Sequence, residues 1–366
     1  MKLESAKIDK FIALLLLLAL PLTGIVAAGE ALAKYLEFPP VSRYVDHAPF
    51  SWPVFIFLAI AILAVELPFI ARVIATQRKP KQLRQAKGGK FPWWGWCGLA
   101  FTLLAWFLAW TRFEWFEPLQ RFTFSPIWFG YIVVVNGLSF KFNGHCLLRD
   151  RPYRLAGLFL LSAAFWWYFE YLNRFVQNWF YSGIGDLSAM QYFLFATLPF
   201  STVLPAVLST DELLRGFPRL VGGLDDYIGI DPPCRRTFAW LILIASAIAL
   251  ATVGVWPNYL FPMLWLSPLL VITALQAIGG RKTIFSPIRT GDWRRICRLA
   301  LAALICGFFW EMWNYYSLAK WEYAIPFVGR FRIFEMPILG YAGYIPFGLE
   351  CAVIADIAFR GPRADG

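Results

Sequence analysis

Histidine is nearly absent from this sequence, which holds only His47 and His145, in different segments. A haem gripped by two histidines within a membrane is therefore excluded, as is a His-rich metalloprotease motif. None of the six cysteines has the Cys-x-x-Cys spacing, and none falls in an external loop of the topology given below. No disulfide framework is implied. Phosphate loops and nucleophile elbows are missing too, and neither a cofactor nor a metal is expected. Charge is scarce as well: 16% of the 366 residues are charged against 59% hydrophobic, with a mean hydropathy of +0.56. A soluble core needs nothing like that apolar fraction, so the class is a multi-span helical membrane protein. The apolar segments are continuous rather than alternating, which argues against a β-barrel.

Aromatic residues are what the chain has in excess, with 18 Trp, 15 Tyr and 35 Phe. Interfacial anchors use some of them, and the remainder can line an apolar pocket. The net charge of +11 is gathered in loops rather than spread as a nucleic-acid surface. Arg72, Arg78, Lys79, Lys81, Arg84, Lys87 and Lys90 form one cluster, and Lys141, Arg149, Arg151 and Arg154 a second. Arg281, Lys282, Arg289, Arg294, Arg295 and Arg298 form a third. All fall on one side of the topology, which is the positive-inside bias.

The apolar runs mark ten spans, at 11–33, 51–72, 93–112, 126–140, 154–178, 190–209, 237–256, 262–279, 296–318 and 336–358. The fourth is short for the ~20 residues a crossing needs, and the eighth is marginal. Ten crossings place both termini in the cytoplasm of a cell whose inner membrane holds the protein. The first span has basic residues before it and Ala27-Ala28-Gly29 after it, as a signal peptide would. Its apolar run exceeds the usual ~7–15 residues of a signal core, so an uncleaved helix is expected.

From position 93 the chain appears twice. Glu170-x-x-Asn173 and Glu311-x-x-Asn314 are 311 − 170 = 141 apart, as are Pro205 and Pro346. Ser125-Pro126 and Ser267-Pro268 are 142 apart, as are Trp179-x-Tyr181 and Trp321-x-Tyr323. The expected architecture is an all-α polytopic membrane protein of about ten transmembrane helices, with two parallel four-helix repeats after two N-terminal helices. Its parts are 1–92 (two N-terminal helices and a basic cytoplasmic loop), 93–213 (first repeat), 214–236 (cytoplasmic linker), 237–358 (second repeat) and 359–366 (tail). An even number of spans per copy gives both the same orientation, about an axis along the membrane normal.

Each Glu-x-x-Asn lies inside an apolar run, and carboxylates at membrane depth are costly and seldom accidental. On the fifth span Glu170, Asn173, Arg174 and Gln177 form a polar stripe, and Glu170 and Arg174 stand at the i,i+4 spacing of an ion pair. On the ninth, Glu311, Asn314, Tyr315 and Leu318 take the matching positions, so Glu311 has no cation on its own helix. Buried in that state, its carboxyl is favoured in the protonated form and can carry a proton or face a cation. A helix–helix hydrogen bond is the plainer role. Glu66 and Glu350 form a second set nearer the cytoplasmic helix ends. The tenth span carries Pro337, Gly340, Gly343 and Pro346, and the sixth Pro199 and Pro205. Irregular backbone at that depth survives where it is buried or lines a cavity. In the loop from Glu37 to Pro49, one histidine with nearby acids is a loop composition rather than a metal set. Asp225, Asp226 and Asp231 have the composition of half a diphosphate-binding cluster, with no second half.

Each half runs from an acid to a Trp-x-Tyr and then to a proline-bearing span: Glu170, Trp179, Tyr181, Pro199, and Glu311, Trp321, Tyr323, Pro337. This layout resembles the membrane lycopene-cyclase domain of carotenoid biosynthesis, over about a third of each repeat. The resemblance implies cyclisation of an isoprenoid through a carbocation, with a carboxyl as proton donor. The acidic pair that follows the proline in that family is absent, because Pro337 leads into Ile338-Leu339-Gly340.

Two functions follow as expectations. One is translocation of a hydrophobic or amphipathic small molecule, with Glu311 and Glu170 as an outer site, Glu350 and Glu66 as an inner one, and Asn173 and Asn314 as amide ligands. Tyr315, Trp321 and Tyr323 join the substrate site in this reading. The other is an intramembrane enzyme acting on a lipid or isoprenoid, in which Glu311 and Glu350 are the catalytic acids. A purely structural subunit is a third. Expected partners are membrane lipids, the small molecule and, in a homo-oligomer, a second copy; nucleic acid is not among them.

Overall fold

The structure, a computed structural model, describes residues 2–77 and 89–359. Arg78, Lys79, Lys81, Arg84 and Lys87 of the first basic cluster lie outside the described residues, as does most of the tail. Helices α1 (Lys2–Ala27) and α2 (Trp52–Gln77) open the chain. They are followed by α3 (Trp93–Trp110), α4 (Phe124–Asn143), the short α5 (Leu147–Asp150) and α6 (Pro152–Val176). Strand β1 (Trp179–Ser182) leads to α7 (Ala189–Phe200) and α8 (Val203–Leu214). The later part consists of α9 (Arg235–Thr252), α10 (Pro257–Leu260), α11 (Met263–Ile278), α12 (Arg294–Tyr315), β2 (Lys320–Tyr323), β3 (Arg332–Ile333), β4 (Met336–Pro337) and α13 (Tyr344–Phe359).

This is a multi-pass helical membrane protein. Among the described residues, eight helical stretches are long and apolar enough to cross a bilayer. The expected spans at 126–140 and 262–279 are the two outside that set. Helix α4 meets the 3-10 segment Glu114–Phe122 at a 66° bend, and α11 has only 16 residues. At ~1.5 Å per residue α11 covers about 24 Å of a hydrocarbon core about 30 Å thick. Large apolar side chains on α1, α2, α3 and α9 remain exposed, as lipid-facing surfaces require.

Helix ends are fixed by recognisable chemistry. Pro152 starts α6, where its missing N–H is no loss. Gly144 closes α4 in the left-handed region. Ser188 and Gln191 form a reciprocal capping box on α7. The break between α7 and α8 is repaired from α6: the Ser162 hydroxyl donates to the Phe200 carbonyl at 2.6 Å and accepts from the Leu204 N–H at 3.0 Å.

Strands β1 and β2 pair antiparallel, Trp179 opposite Tyr323 and Tyr181 opposite Trp321. This ribbon joins the two parts of the chain at one end of the bundle. At the opposite end buried Asp211 of α8 accepts from Arg298 of α12 at 2.6 Å and from Arg215 at 3.2 Å. The two parts are therefore fastened at both ends. Helix α1 packs on α9 and α11, and a strap running from its end to α2 lies across the ribbon end. In that strap the half-buried His47 bonds the Val176 carbonyl through Nε2 at 3.0 Å. Among the described residues, no group of three or more His, Cys, Asp and Glu side chains comes together there or elsewhere.

Helix α2 is different. None of its residues is buried. It is held near one end by the rings of Phe50, Trp52 and Phe55 against Phe331. Near the other, Arg72 donates to the Gly223 and Asp226 carbonyls at 3.0 Å and Phe69 packs on Trp293.

Two predictions follow from these fastenings. Asp211→Asn leaves the Arg298 guanidinium without its counter-charge and is expected to cost about 3–5 kcal/mol, read as a lowered unfolding temperature in detergent. Burial also holds the His47 pKa below its ordinary value of 6.5, so the folded chain resists the proton more than the unfolded one. Its contribution is complete above about 6.5 and is lost as the pH falls below that. Between pH 7 and 5 the wild type should therefore lose more thermal stability than His47→Gln.

Candidate functional site

Helix α6 ends at Val176, and Gln177 follows with φ 47, a left-handed conformation unusual for a side chain of its size. The strap compensates it: the Gln177 amide oxygen accepts from the Tyr44 and Val45 N–H groups, and its amide nitrogen donates to the Ser42 carbonyl. The tight turn brings β1 back along α6. Asn173 then bonds the backbone of Trp179 with both arms of its amide, donating to the carbonyl at 2.8 Å and accepting from the N–H at 3.4 Å. Asn314 does the same for Trp321, at 2.8 and 2.9 Å. The second turn has one more residue between Asn and Trp, and Tyr316 at the end of α12 keeps φ negative. That one residue accounts for the 141 and 142 offsets at these landmarks.

With the strands clamped, their aromatic donors meet the acids. Glu170 Oε1 accepts from Trp166 Nε1 at 3.1 Å, Trp179 Nε1 at 3.0 Å and the Tyr181 hydroxyl at 2.5 Å. Glu311 Oε1 accepts from the Tyr323 and Tyr344 hydroxyls, both at 2.7 Å, and Trp321 Nε1 donates to Tyr323. Glu311 is fully buried, and its Oε2 has no protein partner among the described residues. Tyr344 reaches it only because Gly307, one turn earlier on α12, is bare: a Cβ there would stand 2.4 Å from the tyrosine ring.

These aromatic groups face a cavity of about 990 Å³. Its walls include Trp166, Trp179 and Tyr181, then Trp265, Trp310, Trp321, Tyr323 and Tyr344. Trp265 stacks on Phe169 at 4.9 Å and on Trp179 at 5.7 Å. The interrupted spans line it too, through Pro199 and Phe200 at the end of α7 and through Leu339–Phe347 around the 3-10 turn before α13. A further wall is α2, through Leu58, Ala61, Ile62, Val65 and Glu66. That i, i+3, i+4, i+7, i+8 stripe is one helix face.

The sequence-derived candidates are placed as follows. Trp321, Tyr323 and Glu66 line the cavity, while Glu170 and Glu311 sit directly behind its aromatic wall. The ion pair expected between Glu170 and Arg174 does not form. Arg174 instead turns to the strap, donating to the Lys34 carbonyl at 2.7 Å and Glu37 at 3.3 Å, because the indole and phenol donors already satisfy Glu170. Asn173 and Asn314 are spent on backbone and are not free amide ligands. Tyr315 does not share the face of Glu311: it is 38% exposed whereas Glu311 and Asn314 are 0%, its ring meets Tyr316 and Phe334, and the helix ends before Leu318. Glu350 is buried on α13 with Oε2 unpartnered among the described residues, away from the cavity. Sequence reasoning missed Tyr344 as a ligand of Glu311, and Trp265, Arg121 and Lys320 as lining residues. The sixteen-residue α11 that carries Trp265 gave no polar signal to mark it.

No family model, no curated protein and no solved structure matches the chain.

Asn314→Leu strips the Trp321 N–H and carbonyl of their partners. It is expected to cost about 1–3 kcal/mol for each group left buried, seen as a lower unfolding temperature, and Asn314→Asp should recover part of that loss through its remaining acceptor.

Proposed function

We propose that the protein binds an amphipathic, long-chain molecule in this cavity and translocates it, with the ligand admitted sideways from the bilayer past α2. The observation that carries the reading is the wall itself. A cavity of drug-binding to lipid-binding size is bounded on one side by a helix none of whose residues is fully buried. Rocking of one half against the other would have to break the β1–β2 ladder and the Asp211 pair together. Movement of α2 breaks neither, so α2 is the moving part.

The two halves are read as parallel repeats. The β1–β2 register supports this, because it places the Trp of each Trp-x-Tyr opposite the Tyr of the other, as a local two-fold axis would. Doubled Asn clamps and doubled acid–aromatic sets support it further. In this reading the chain crosses ten times, with α4 and α11 as its short crossings. The ends rich in arginine, at Arg149–Arg154 and Arg281–Arg298, face the cytoplasm of an inner membrane.

A specific observation favours a second reading, an isoprenoid or lipid enzyme of the lycopene-cyclase kind. Tyr323 and Tyr344 line the cavity while bonded to Glu311. A proton held by the Glu311 carboxyl can pass through a tyrosine hydroxyl to a ligand, the phenol giving one proton and taking one. The surrounding ring faces would stabilise the cation formed.

Lipid mass spectrometry on the purified protein tests both. The wild type should retain a long-chain species that Ala61→Trp, which fills the cavity from an unburied helix, excludes. Identical lipids in both would sink the ligand site. With the retained species in vesicles, flux without change of mass that Glu311→Gln abolishes supports translocation. A product of altered mass supports the enzyme.

A further inference from the structure

We propose that the occupant is an anionic amphiphile, a phosphate or diphosphate on a long apolar chain, whose head is held by Arg121 beside Lys320 at the ribbon end of the cavity. The inference rests on the cavity being a ligand site and adds the chemistry of the head.

Arg121 lies in the last turn of the 3-10 segment before α4 and lines the cavity, half-buried on a wall that is otherwise almost wholly apolar. Its only hydrogen bond among the described residues is a long one, from Nη1 to the Ile184 carbonyl at 3.3 Å. No carboxylate pairs with it among those residues. A guanidinium has five N–H donors in a planar fork, and partial burial without a counter-ion is unfavourable. A phosphate matches both the charge and the fork.

Lys320 lines the same opening and donates to Glu335 at 2.5 Å. Glu335 also faces Arg332 at 3.7 Å, so these three groups retain one positive charge. The other ribbon carboxylate, Glu322, accepts from the Ser182 hydroxyl at 2.7 Å. Arg43 covers Phe180 on the ribbon, its guanidinium carbon 3.5 Å from the ring centre. Among the described residues, the charged side chains that line the cavity at its ribbon end are thus Arg121 and Lys320, both cations.

The far end is not. Glu66, the one carboxylate among the described residues that lines the cavity, lies fifteen residues along the chain from Ser51, which bonds the Phe327 carbonyl at the ribbon end. At ~1.5 Å per residue that is about 22 Å deeper. Cations at one end and a carboxylate at the other orient an anionic amphiphile with its head at the ribbon and its chain along α2.

The test uses the purified chain in phosphatidylcholine nanodiscs, with quenching of the cavity tryptophans as the readout. Geranylgeranyl phosphate, geranylgeraniol and inorganic diphosphate are titrated separately. The prenyl phosphate should bind the wild type about tenfold more tightly than the alcohol, the worth of a charge-assisted hydrogen bond. Arg121→Gln should abolish that preference while leaving the alcohol's affinity in place, Lys320→Gln should reduce it, and Arg121→Lys should keep most of it. Equal binding of phosphate and alcohol by the wild type, or an undiminished preference in Arg121→Gln, overturns the proposal. Inorganic diphosphate binding as tightly as the prenyl phosphate makes this a soluble-phosphate site and overturns the lipid assignment. Failure of both prenyl compounds to bind overturns the cavity reading itself.

Discussion

A buried carboxyl group is costly unless hydrogen-bonded, and at Glu170 and Glu311 every donor is aromatic: indole N–H from Trp166 and Trp179, phenol O–H from Tyr181, Tyr323 and Tyr344. Cations would neutralise the acids outright. Phenols and indoles stabilise the carboxyl group while presenting apolar ring faces to the space beyond. The acids therefore shape the cavity without entering it. Placing those rings requires the Asn clamps, the turn at Gln177, the strap that holds that turn, and the bare Cα of Gly307.

The same arrangement decides where the molecule can move. The acids, clamps and ribbon form one connected unit, and Asp211 with Arg298 ties its opposite end. What remains outside the unit is α2, whose bundle-facing stripe closes the cavity without being buried by it. Bistability needs a packed element with two arrangements of similar energy. A helix with no fully buried residue has little packing to lose in reaching the second one.

Much of this was legible as spacing. Glu-x-x-Asn and Trp-x-Tyr recur at nearly constant offsets, and the proline-bearing spans at Pro199 and Pro337–Pro346 are interrupted where the residue types predict. Partner choice was less legible. Arg174 at i+4 from Glu170 has the spacing of an ion pair, yet the acid is satisfied by side chains on a following strand and the arginine by a strap more than 130 positions earlier. Tyr315 was misplaced for a related reason: helical periodicity was carried up to the residue where α12 stops. The ribbon went unseen because each of its four-residue strands finds its partner only across the two halves. The role of α2 was hidden too, since a uniformly apolar helix gives no sign of which face meets a cavity and which meets lipid.

The two fastenings of α2 also set a length. Phe55, against Phe331, and Phe69, against Trp293, are fourteen residues apart, or about 21 Å along the helix. Both belong to one helix, in which Pro68 beside Phe69 leaves a single missing backbone hydrogen bond between the fastenings. For a long-chain ligand of the proposed kind, the slot between them would act as a ruler. A chain shorter than the slot leaves apolar wall uncovered, and a longer one must bend outward between the fastenings into the bilayer. Chain length, and not only head-group chemistry, would then be a property on which the proposed site sorts its ligands.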